Sequence, residues 1–128
     1  MKEPMWIERA DALAIHELML SQYGGMVGIR DEGMLASALA KPQNRFSYEK
    51  PSVAEMGASY AAGIILNHPF LDGNKRTGFM VGAAFIELNG FDFVADEVSA
   101  VERTLALAAG AIDEAAYAKW LKQNSKKA

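Results

Sequence analysis

Apolar and polar positions repeat at helical spacing along most of the chain, which predicts an all-α fold of about six helices. Over residues 8–23, Ala12, Ile15, Met19 and Tyr23 share one stripe, and Gly24-Gly25 ends the segment. A short second helix is expected from near Asp31, with Met34, Leu35, Ala38 and Leu39 inward and Pro42 limiting its extension. Residues 41–51 are polar, aromatic and flanked by prolines, and read as a loop or weak hairpin. Phe46 and Tyr48 there pack down or, alternatively, sit on an exposed arm. Ser52 and Glu55 form a Ser-x-x-Glu capping box ahead of a third helix striped by Val53, Met56, Tyr60 and Ile64. It runs to about Asn67, because Pro69 disfavours helical geometry in the residue before it.

Residues 79–86 carry no polar side chain on any face, which predicts a buried central helix. Asn89-Gly90 ends it, and residues 91–94 form a short extended piece. Helices follow near 96–109 and 113–123, with Asp113 as an N-cap and Tyr117, Trp120 and Leu121 inward. The tail 125–128 is expected to fray.

A length of 128 residues fits one domain over 1–128. The 51% hydrophobic and 23% charged content argues against bulk disorder. Cysteine is absent, which excludes disulfides, cysteine-ligated metals and thiol catalysis. Only two histidines are present, so a three-histidine metal site is excluded as well. A net charge of −3 lacks the electrostatic footprint of a nonspecific nucleic-acid binder, and direct nucleic-acid contact is not expected. No apolar run approaches a membrane span, and no apolar signal region follows Met1-Lys2-Glu3-Pro4. A cytoplasmic setting is the expectation.

One dense polar stretch enters the core: His68-Pro69-Phe70-Leu71-Asp72-Gly73-Asn74-Lys75-Arg76-Thr77. A helix starting near Asn74 points free N–H groups into this loop, and its dipole favours an anion. Lys75 and Arg76 oppose that dipole unless a polyanion neutralises them, as a nucleotide phosphate chain would. Gly73 allows close backbone approach to such a ligand. Asp72 would repel phosphate unless a cation such as magnesium intervenes. His68 can accept a proton near neutral pH. Phe70 is expected to anchor the loop to the core. The bland alternative is a His-Pro turn, an Asn74 cap and two solvated cations. It suits each residue singly and suits the set poorly.

The stretch resembles the signature of the Fic/Doc superfamily, His-x-Phe-x-(Asp/Glu)-Gly-Asn-(Gly/Lys)-Arg. Lys75, where most Fic proteins carry Gly, is similar to the death-on-curing (Doc) branch. So are Gly28-Ile29-Arg30-Asp31-Glu32-Gly33 and Ala-Leu-Ala-Lys-Pro-Gln at 38–43. The resemblance spans roughly residues 6–122 and implies the Fic/Doc helical bundle. It implies His68 as general base, Asp72 as magnesium ligand, and Gly73, Asn74, Lys75 and Arg76 around the phosphates of ATP. It also implies a toxin that phosphorylates a threonine on a translation elongation factor and is neutralised by a cognate antitoxin.

Lys75 is the candidate second catalytic residue, since its stem fills the space a deep α-phosphate would need and its ammonium can hold a terminal phosphate. AMP transfer to a protein hydroxyl, as in Fic proteins, is the rival chemistry. A non-catalytic nucleotide-binding module would be expected to lose His68 or Asp72. A metal-assisted hydrolase needs more ligands than the sequence offers. The self-inhibitory (Ser/Thr)-x-x-x-Glu-(Gly/Asn) motif finds no match, so inhibition is expected from a partner chain. His16 reads as a satisfied core histidine, and Arg30-Asp31-Glu32 as a helix opening.

Overall fold

The computed structural model describes residues 2–128. Six helices follow in order: α1 (Arg9–Tyr23), α2 (Glu32–Glu49), α3 (Val53–Asn67), α4 (Asn74–Leu88), α5 (Glu97–Ala108) and α6 (Glu114–Gln123). The strands β1 (Phe91–Phe93) and β2 (Ser125–Lys127) pair antiparallel, with Asp92 opposite Lys126. The all-α expectation therefore holds, and the capping box at Ser52 and Glu55 is formed.

The innermost helix is α3 rather than α4, and it serves two cores. Ala54, Ala58, Ala61, Ala62 and Ile65 face α5 and α6, packing with Leu107, Tyr117 and Leu121. Met56, Tyr60 and Ile64 face the other way, toward Leu35, Phe70 and Phe85. α3 and α4 approach closely because glycines meet across them: a Cβ on Gly82 would lie 2.8 Å from the Gly57 carbonyl oxygen. The closely packed pair sets the C-terminal end of α3 beside the start of α4, and the polar loop joins them.

Three expectations fail for physical reasons. Residues 41–49 are not a loop: α2 continues through buried Pro42. Proline removes one helical hydrogen bond and costs about 3 kcal/mol in an isolated helix. Here tertiary anchors flank it. Arg45 donates to Ser59 Oγ at 2.8 Å and to Glu114 at 3.1 Å, Lys41 pairs with Glu114, and Phe46 meets Trp6 edge-on at 5.7 Å. Phe46 thus packs down, whereas Tyr48 is exposed.

The tail does not hang free, because β2 satisfies its backbone on β1 and the Ala128 N–H donates to Gly90 at 3.0 Å. Finally, Met34 and Tyr23 are exposed rather than inward. The buried face of α1 is instead Ala12, His16 and Met19.

Candidate active site

A cleft of about 580 Å³ opens between the 68–76 loop with the start of α4 on one side and α5 on the other. His68, Asp72, Gly73, Asn74, Lys75 and Arg76 all line it, so the predicted site residues do come together. Phe79 and Met80 continue its wall along α4, while Glu97, Val101, Thr104 and Leu105 face it from α5.

His68 is the C-cap of α3 and adopts a left-handed conformation, φ 50° and ψ 59°. Such a backbone is unfavourable for a residue with a Cβ and persists only when its surroundings fix it. Arg30 does so: Nε donates to the His68 carbonyl at 2.6 Å and Nη2 to that of Asn67 at 2.7 Å. The Arg30 and Asp31 N–H groups also donate to the Pro69 carbonyl, at 2.7 and 3.0 Å. The imidazole itself is left exposed at the cleft.

The loop is clamped from below. The Asn74 side chain accepts from the Phe70 N–H and donates to the Phe70 carbonyl, both at 3.0 Å. Phe70 is fully buried and stacks on His16 with ring centroids 3.8 Å apart. His16 donates from Nε2 to the Asp72 carbonyl at 2.8 Å, an assignment fixed by the acceptor. His16 is thus a satisfied core histidine, as its sequence context predicts, and Phe70 is the anchor.

α4 begins differently from its neighbours. Asp31, Ser52, Asp96 and Asp113 cap α2, α3, α5 and α6 with side-chain oxygens. The N-cap of α4 is Gly73, at φ 77°, with no side chain to offer. The Thr77 N–H returns to the Gly73 carbonyl, but the N–H groups of Asn74, Lys75 and Arg76 find no acceptor among the described residues. Three free donors at a helix N-terminus form an anion site. The Asn74 side chain is committed to Phe70, so this residue meets an anion through its backbone. Lys75 and Arg76 are exposed and make no ion pair among the described residues within 4.0 Å; Arg76 rests over the Tyr23 ring, 4.2 Å from its centroid.

Asp72 lies exposed at the same mouth. The Met26 N–H, and then that of Gly73, hold its carboxyl below the ordinary carboxylate range, with Arg76 adding to the effect. It is an ionised, accessible oxygen donor. No group of three or more His, Cys, Asp or Glu side chains among the described residues could cage a metal. A lone carboxylate beside an anion nest fits magnesium held jointly with phosphate oxygens and water.

Sequence reasoning missed the α5 wall, the Tyr23 platform and the support from Arg30. The sequence places Arg30 in a helix opening and in a Doc-like stretch but does not show its tie to His68, because its partners lie 37 and 38 residues away.

These features gather an uncapped helix start, an exposed carboxylate and an accessible histidine around one cleft. The Fic/DOC family model matches residues 6–86, and the chain belongs to that family. Among its relatives, the "Protein kinase doc" of Escherichia phage P1 is 30% identical over 118 residues, covering 91% of this chain and 93% of its own. The "Toxin Doc" of Mycolicibacterium smegmatis is 30% identical over 95 residues, covering 71% of this chain and 69% of its own. No helix among the described residues is long and apolar enough to cross a membrane.

Proposed function

We propose that this chain is a Doc-type toxin that transfers the γ-phosphoryl group of ATP to a protein hydroxyl. The uncapped start of α4, with Lys75 and Arg76 on it and His68 and Asp72 in the same cleft, carries this reading. The free N–H groups and both cations bind the phosphates. Asp72 would hold magnesium, which when bound offsets phosphate charge. His68 takes the proton from the target hydroxyl as its oxygen bonds to the γ-phosphorus. The bond to the bridging oxygen breaks, and ADP leaves with that electron pair.

Kinase chemistry is preferred to AMP transfer on two grounds. The phage relative bears the name of a protein kinase, and Lys75 occupies the position where Gly would leave room for a deep α-phosphate. By the resemblance to Doc toxins, the target is a translation elongation factor, the setting is the cytoplasm, and a cognate antitoxin restrains the enzyme. Val98, Val101 and Leu105 leave an exposed apolar rim on α5 that suits an antitoxin segment.

Intact-mass analysis of a translating lysate treated with this protein, magnesium and ATP tests the reading. A gain of one phosphoryl group on one protein is expected, and none with His68→Ala. A gain of AMP identifies an adenylyltransferase instead. No modification, with no ATP binding by calorimetry, overturns the transferase reading altogether.

A further inference from the structure

Residues 24–28 leave the end of α1 and lie against the 68–76 loop. Gly24, Gly25 and Gly28 all sit at positive φ, 78°, 129° and 130°. A Cβ on Gly25 would lie 2.9 Å from Asp72 Oδ2, and one on Gly28 would lie 2.9 Å from a Leu71 methyl. The segment is therefore in direct contact with the cleft-lining residues Leu71 and Asp72.

Very little fixes it there. At one end the Gly24 N–H donates to the Leu20 carbonyl at 2.7 Å. At the other, the Gly28 carbonyl accepts from Leu71 at 3.0 Å. Between them the Met26 N–H donates to Asp72 Oδ2 at 3.1 Å. Met26 and Val27, 63% and 80% exposed, add little burial. Between its two backbone-held ends, the bond to Asp72 is the one hydrogen bond that fixes the glycine-rich stretch among the described residues.

We infer that Asp72 is a positioning residue for segment 24–28, and that loading a metal on its carboxylate releases that segment. The second half rests on the nucleotide reading above. Hydrogen bonds to an ionised acceptor draw their strength from its charge. A dication sharing the carboxylate withdraws that charge from the Met26 N–H, and its water shell competes for the side of Oδ2 that Gly25 covers. The segment therefore loosens beside the cleft once nucleotide and metal are in place. By linkage, a partner that draws segment 24–28 away from Asp72 tightens metal binding by the same factor.

Amide hydrogen exchange at Met26, read by NMR on the full chain, tests both halves without turnover. In the metal-free, nucleotide-free protein, Asp72→Ala is expected to speed exchange at Met26 by about tenfold or more. Asp72→Asn, which keeps an acceptor without the charge, gives a smaller increase. Unchanged exchange in Asp72→Ala overturns the positioning role. In the wild type, magnesium with ADP is expected to speed Met26 exchange relative to ADP alone, with binding of each checked calorimetrically on the same sample. Magnesium-dependent binding that leaves Met26 unchanged overturns the release alone. No binding of ADP in either condition overturns the nucleotide reading and the release together, while the Asp72→Ala comparison still decides the positioning role.

Discussion

Asn74 holds Phe70 by both of its backbone polar groups, so the residue that begins α4 also shapes the loop in front of it. The arrangement turns the amide side chain inward and leaves the backbone N–H for the cleft. Asn74→Ala would strand a buried N–H and a buried carbonyl. At about 1–3 kcal/mol for each unsatisfied group, a loss of about 2–6 kcal/mol is expected in urea unfolding, with weaker ATP binding alongside. A loss below about 1 kcal/mol would show that water or a shifted loop replaces the clamp.

Arg30 should behave differently, because it is exposed and acts on His68 through carbonyls rather than through the core. Arg30→Ala is expected to lower kcat by about tenfold or more, since small displacements of a proton acceptor are costly, with a much smaller change in KM for ATP. Thermal stability changes little. Arg30→Lys keeps one donor and restores part of the rate. An unaltered kcat in Arg30→Ala removes Arg30 from the positioning of His68.

What the sequence reveals here depends on how local each cause is. The Ser52 and Glu55 box, the Gly24 stop and the Asp113 cap each act within one helical turn, and all were readable. The gathering of His68, Asp72, Lys75 and Arg76 was readable because one stretch of nine residues, 68–76, carries them all. Pro42 misleads because its cost is local while its compensation, Arg45 reaching Ser59 and Glu114, is tertiary. The tail misleads likewise, since its polar side chains say nothing about the β1 edge waiting for its backbone. Tyr23 fits the helical stripe, yet it faces solvent and Arg76, because α1 turns His16 toward Phe70.

Glu55 gives a pH-dependent signature of the α3 cap. The Ser52 N–H is the main cause that holds its carboxyl below the ordinary glutamate range, with Arg45 and Lys122 assisting. A carboxyl depressed in the folded state contributes stability above its unfolded pKa, and loses it as pH falls through the folded value. Glu55→Gln keeps the hydrogen-bonding shape and removes the charge. It should cost a few tenths of a kcal/mol at neutral pH, because the site is exposed and screened. The difference from wild type should close as pH falls below the ordinary glutamate range, as followed by denaturant titrations at each pH. A constant difference across that window would assign the effect to packing.

On the reading proposed above, Lys75 is the residue that separates phosphoryl from adenylyl transfer. α4 fixes the direction of the free N–H groups at its start, so the nest stays in place whatever side chain follows Asn74. What changes with the side chain is the free volume above the nest and the local charge. Lysine fills the volume and places an ammonium that no carboxylate of the protein engages within 4.0 Å among the described residues. That ammonium is available to a terminal phosphate, where charge develops as the bridging bond breaks. Lys75→Gly should therefore reduce γ-phosphoryl transfer about tenfold for each ~1.36 kcal/mol of transition-state stabilisation that the ammonium supplies. Thermal stability should change little, because removing a cation from the first turn relieves the dipole while glycine costs backbone entropy. Adenylyl transfer requires the whole nucleotide to turn round, so Lys75→Gly alone is not expected to install it. The assay runs γ-labelled and α-labelled ATP side by side on wild type and variant with the target present. If the wild type transfers only the α-label, the kinase reading fails, and Lys75 is a charge that an adenylyltransferase merely tolerates.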